Sequence, residues 1–139
     1  MVSRSALFPK MKLFYVALFL LAAVMLAIKL DTALAASPPI VIKMLDAPPS
    51  FQPIRTTIRA GDTVEWKNVG NEVHHATSDP SLAIKKNDVT NPPGAKSFDS
   101  GFIKPGESFS QKFSVPGIYR YTCVVHEAKG MTGELVVQK

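Results

Sequence analysis

The run YTCVVHEAKGM, Tyr121 to Met131, contains the chain's single cysteine, and it sets Cys123, His126 and Met131 in the order C-x2-H-x4-M. The chain has three histidines, and the other two are the adjacent His74 and His75. A thiolate, two imidazoles and a thioether form a soft, mixed donor set. A trigonal thiolate and two imidazoles with a weak axial thioether hold copper in a blue electron-transfer site. One short loop supplies three of those donors, so the remaining imidazole must come from His74 or His75. Zinc also accepts histidine and cysteine, but a thioether is a poor zinc ligand.

Each of these residues has an ordinary reading when taken alone. A free cysteine is commonly a small buried hydrophobe, and a methionine commonly fills a core. A lone histidine at a strand end is usually a loop residue. The joint spacing, with an upstream histidine in addition, favours a metal site. The Asp, Glu and Ser residues offer no convergent constellation for hydrolysis.

The elements that must position these donors are legible in the remainder of the 139 residues. Arg4, Lys10 and Lys12 flank an apolar block from Leu13 to Ile28, followed by Ala33-Leu34-Ala35 and then Ala36-Ser37-Pro38-Pro39. A basic flank, an apolar core and an A-x-A site are the layout of a secretory signal peptide. The expected division is a signal peptide over 1–35 and one domain over 36–139. The rival is an uncleaved membrane anchor, but Lys29 and Asp31 close the apolar run short of the roughly 20 residues a spanning helix needs. Removal of 1–35 lowers the net charge from +5 to +2, with twelve basic and ten acidic residues remaining. Those basic residues are scattered singly apart from Lys85-Lys86, which excludes a nucleic-acid footprint. In an oxidising compartment an odd cysteine is a liability unless something protects or uses it.

Short runs of β-forming residues recur between Gly, Pro, Asn and Asp clusters: 40–45, 54–60, 63–68, 72–77, 98–103, 108–115, 118–124 and 134–138. This spacing predicts about eight strands in an all-β antiparallel sandwich or barrel. Alternation puts Tyr119, Tyr121 and Cys123 on one inward face. Trp66 and the Phe and Tyr residues read as core. The segment 79–96, broken by Asn91-Pro92-Pro93-Gly94, reads as a surface crossover between the two sheets, with a helical turn near Leu82 to Lys86.

The run from Gly117 to Val137, with the upstream TVEWKN and VHHATSD, resembles the cupredoxins, and most closely their plastocyanin and pseudoazurin branch. The resemblance spans Ile40 to Lys139 and implies a Greek-key β-sandwich. It implies copper ligands at His74, Cys123, His126 and Met131, because His74 followed by His75, Ala76 and Thr77 keeps the family's register. Neighbours in a strand point to opposite sides, so only one member of the His74–His75 pair enters a single pocket. His75 is then expected to face solvent or to give its backbone N–H to the thiolate.

The resemblance further implies one type 1 copper per chain and one-electron transfer without catalysis. His126 would reach the surface through an apolar patch, with Pro92, Pro93, Gly94, Ala128 and Gly130 near it. The expected partners are redox proteins of cytochrome, oxidoreductase or photosystem type that meet this patch transiently. The expected compartment is the periplasm or a lumen of thylakoid type, with membrane attachment only if the N-terminal segment is retained. The alternative function is a periplasmic copper carrier that delivers metal. A fragment of a multicopper oxidase or nitrite reductase is disfavoured by length.

Overall fold

Strand β4, Thr63–Asn68, shows how alternation builds this molecule: Val64, Trp66 and Asn68 are buried while Lys67 between them is exposed. A side-chain period of two gives a strand one inward and one outward face, and a sheet assembled from such strands must bury its apolar face against another layer. The computed structural model describes residues 37–139, over which Ser37–Lys139 forms one compact unit. The expected signal peptide, 1–35, lies outside the described residues.

Besides β4, the strands are β1 Ile40–Asp46, β2 Pro49–Gln52, β3 Arg55–Arg59, β5 His74–Thr77, β6 Asp99–Ile103, β7 Ser108–Lys112, β8 Gly117–Thr122 and β9 Thr132–Gln138. They form a four-stranded sheet ordered β2-β1-β4-β7 and a five-stranded sheet ordered β3-β9-β8-β5-β6. The all-β sandwich expected from the sequence is therefore present, with nine strands among the described residues.

The additional strand is β2. Pro49, with Pro48 and Pro53 flanking the strand, reads as a loop signal, but β2 lies at a sheet edge, where proline is tolerated. The pairing is also not wholly antiparallel, since β1 runs parallel to β4 and β3 parallel to β9. Strand spacing along a chain carries no information about relative direction.

The segment between β5 and β6 does not cross between sheets, because these two strands are antiparallel neighbours in the same sheet. It makes an excursion instead, and Thr90 pairs with Arg120 along the edge of β8. Its short 3-10 turn falls at Lys86–Asp88.

Aromatic rings join the layers. Trp66, from the four-stranded sheet, stacks on Phe98 with ring centroids 4.9 Å apart and meets Tyr121 of β8 edge-on at 5.4 Å. Such pairs each add about 0.5–1.5 kcal/mol beyond the area they bury. Cys123 and Met131 belong to the same continuous core, which makes the packed interior the wall of the site.

Candidate metal centre

β8 ends at Thr122, and Cys123 follows on the inward face begun by Tyr119 and Tyr121; its side chain is fully buried. The chain then turns sharply. His126 N–H donates to the Cys123 carbonyl at 2.9 Å, and Gly130, in the left-handed region at φ 82°, donates to Glu127 O at 2.8 Å. Cys123 N–H donates to Met131 O at 3.0 Å, which closes the loop before β9 begins. A left-handed residue at this point favours glycine, which pays no Cβ penalty.

This loop brings His126 Nδ1 to 3.6 Å from Cys123 Sγ. From β5, across the sheet, His74 Nδ1 stands 3.9 Å from the same sulfur. The three donor atoms lie within 4.8 Å of one another, and all three residues are buried. Met131 is fully buried as well.

His75 is directed elsewhere. Its ring packs edge-on against Phe102, and its Nε2 lies 3.0 Å from Asp99 Oδ1. It does not face solvent, being 5% exposed, but its backbone N–H is turned toward the Cys123 sulfur, the second of the two outcomes the resemblance implied. Burial lowers the His75 imidazole below its ordinary pKa, with the Asp99 charge opposing in part.

The outer nitrogens of the two converging rings are both engaged. His74 Nε2 is 2.9 Å from Asp46 Oδ1, and His126 Nε2 is 2.8 Å from Glu72 Oε2. An ionised carboxylate only accepts, so each Nε2 carries a proton, and in the neutral ring the lone pair then falls on Nδ1, the nitrogen that faces the sulfur. Asp46 is held in its ionised, accepting form, because the Asn71 N–H first, and then the His74 ring, keep its carboxyl below the ordinary value. Carboxylates on the far side of metal-binding imidazoles set tautomer and orientation in this way. Sequence reasoning did not find Asp46 or Glu72, because no fixed spacing links them to the histidines.

Without metal, burial pushes the Cys123 thiol up, and the N–H groups of His75, His126 and Val125 oppose that by favouring the thiolate. The residues therefore fit a copper ion: one soft sulfur and two imidazoles whose Nδ1 atoms face it, all three residues being buried.

Part of the expected surroundings of His126 is not found there. Pro92 lies against Gly117, at the opposite end of β8 from Cys123, and leaves no room for a Cβ on that glycine. Gly94 lines a shallow hollow with Phe113 and Tyr119, also away from the loop. The Pro-Pro-Gly run follows the excursion down the β8 edge, a path that chain order does not reveal.

A two-sheet β-sandwich with a buried His–Cys–His cluster at one end defines a cupredoxin. The chain matches the model of copper-binding proteins of the plastocyanin/azurin family over residues 41–138, and it belongs to that family. It is 36% identical over 88 residues to a chloroplastic plastocyanin of Tetradesmus obliquus, covering 63% of this chain and 58% of that one. It is 37% identical over 92 residues to a plastocyanin of Scenedesmus fuscus, covering 63% of this chain and 86% of that one. Among solved structures, a purple cupredoxin from Nitrosopumilus maritimus superposes with a TM-score of 0.55 at 20% identity, covering 71% of this chain and 99% of that one. A copper-containing nitrite reductase from Thermus scotoductus superposes with a TM-score of 0.60 at 24% identity, but this chain spans only 23% of it. Both structural likenesses carry the fold. Copper is the metal of the family, and His74, Cys123 and His126 form a donor cluster matched to it.

Proposed function

We propose that this protein is a type 1 copper electron carrier, with His74, Cys123, His126 and Met131 as the ligands, moving single electrons between exported redox partners. The observation that carries this reading is the orientation of both imidazoles, each turning Nδ1 toward the Cys123 sulfur with Nε2 held outward by a carboxylate. Met131, fully buried and tied through its carbonyl to Cys123, supports a thioether as the fourth donor. Copper bound there supplies a one-electron couple. The chain's own part is to keep the donors in one geometry in both oxidation states, exclude water and stabilise the thiolate with backbone N–H groups.

Burial of all three clustered residues leaves no opening for a substrate, so the reading is a carrier and not an enzyme. It also argues against a delivery role, since a carrier of exchangeable metal needs accessible donors. Redox partners of cytochrome, oxidoreductase or photosystem type would approach on the His126 side, where Val125 is an exposed apolar neighbour. An exported compartment fits both the 1–35 segment and relatives that include chloroplastic plastocyanins. Among the described residues no helix is long and apolar enough to cross a membrane.

The deciding experiment loads the 36–139 domain with copper and records optical and EPR spectra with reversible voltammetry. An intense visible thiolate-to-copper band and a reversible couple are expected; fast surrender of copper to a chelator without such a band would overturn the reading. His74→Ala should abolish the band and His75→Ala should leave it, and the reverse pattern would reassign the ligand. Mass spectrometry of the exported protein's N-terminus tests cleavage near Ala35.

A further inference from the structure

His126 does not present a bare ring edge. It is 5% exposed, and Glu72 Oε2 lies 2.8 Å from its Nε2, while the Glu72 side chain itself remains 52% exposed. Glu72 is held out to this position by a tightly pinned loop between β4 and β5. Asn68, fully buried, donates from Nδ2 to Glu72 O at 2.8 Å and to Ile103 O at 2.9 Å, and its Oδ1 accepts from Gly70 N–H at 3.0 Å. Val69 N–H donates to Met44 O at 3.2 Å. Asp46 accepts from Asn71 N–H and, more weakly, from Glu72 N–H at 3.4 Å. Gly70 passes so close that a Cβ there would collide with the Asp46 carboxylate.

Asp46 therefore serves two purposes: its carboxylate holds the His74 ring and also anchors the loop that carries Glu72. The two histidines are linked on their outer sides through Asp46, the loop and Glu72, as they are on their inner sides through Cys123.

From this arrangement we infer that Glu72 is a positioning residue for His126, locking its ring with Nδ1 toward Cys123 and lowering the copper reduction potential by placing a fixed negative charge on the ring's outer edge. The inference rests on the copper-site reading above. The physics has two separable parts. In the neutral ring the hydrogen bond selects the tautomer, because a carboxylate accepts and so places the proton on Nε2. The charge favours the more positive oxidation state, so its removal shifts the couple toward Cu(I).

Two variants separate these parts. Glu72→Gln retains an acceptor oxygen and loses the charge; Glu72→Ala loses both. In copper-loaded protein, both variants should raise the midpoint potential by the equivalent of a roughly tenfold shift of the Cu(II)/Cu(I) ratio at constant ambient potential, as expected for one unit charge a few ångströms away that is half-exposed and largely screened by water. In metal-free protein, at a pH high enough for the ring to be neutral, long-range ¹⁵N–¹H correlation should show His126 as a single Nε2–H tautomer in the parent and as a tautomer mixture in Glu72→Ala. An unchanged potential in Glu72→Gln, or an unchanged tautomer in Glu72→Ala, overturns the inference. If the parent protein lacks the visible thiolate-to-copper band, the electron-carrier reading itself fails; the tautomer result still reads the Glu72 lock independently of it.

Discussion

Cys123 and Met131 are joined through the backbone: the Cys123 N–H donates to the Met131 carbonyl at 3.0 Å, and the hydroxyl of the preceding Thr122 donates to the same oxygen at 3.0 Å. The two ends of the donor loop are thus held together by bonds that involve no side chain of the cluster. Met131 N–H returns to His126 O at 3.3 Å, so the loop is braced internally as well. The pocket is consequently organised by the fold before any metal enters.

Thr122→Val tests this bracing. The valine keeps the buried volume but leaves the carbonyl with one donor fewer, so urea denaturation should show a loss of about 1 kcal/mol. The copper spectrum should be preserved, because the Cys123 N–H remains. A collapse of the visible band in this variant would mean that the hydroxyl, and not the main chain, holds the loop.

Copper uptake should release protons. Burial keeps the metal-free Cys123 as a thiol at neutral pH, whereas the bound form is the thiolate, so binding expels roughly one proton. Calorimetric titration at pH 7 in buffers of different ionisation enthalpy counts it. Apparent copper affinity should rise with pH up to the thiol's own pKa. Uptake with no proton release would show that the thiolate already exists in the empty pocket.

Glu127 follows His126 directly and is 2% exposed, and its two carboxylate oxygens accept from Ile84 N–H at 2.9 Å and Lys85 N–H at 2.8 Å. The side chain fastens the β5–β6 excursion to the donor loop. Glu127→Ala should cost roughly 2–3 kcal/mol, as for charge-assisted bonds. Hydrogen exchange at the Ile84 and Lys85 amides should accelerate. If those amides keep their parental protection, the excursion is held by other contacts.

The metal-free domain should lose stability as acid is added through the range where histidine titrates. Burial depresses the His75 pKa in the folded state, so the folded ring takes up its proton at lower pH than the unfolded chain, which does so near pH 6.5. A depressed pKa contributes stability that is present above the unfolded value and lost as pH falls below it. Denaturation midpoints between pH 8 and pH 5 should therefore decline, and His75→Gln should flatten the slope. Parallel slopes for the parent and the variant would remove His75 as a cause.

The part of the cluster that lies on one loop, Cys123 and His126, was legible in the sequence because its members are neighbours along the chain. Cys123, His126 and Met131 lie on one loop, and strand alternation through Tyr119 and Tyr121 already pointed Cys123 inward, where it is fully buried. The strand runs were legible for the same reason, since a period of two is a local signal. β2 was hidden because the prolines that end a central strand are tolerated at an edge.

What chain order does not record is which distant residues meet. Asp46 reaches His74 across 28 positions and Glu72 reaches His126 across 54, and no spacing rule connects such pairs. The same holds for the parallel partners of β1 and β3 and for Pro92, which packs over Gly117. Periodicity assigned one member of the His74–His75 pair to the pocket without saying which. Folding of β5 between β6 and β8 turns His74 toward the Cys123 sulfur and His75 toward Asp99 and Phe102. Side-chain type and local period are properties of neighbouring residues, whereas the environment of an imidazole is set by the sheets that close around it.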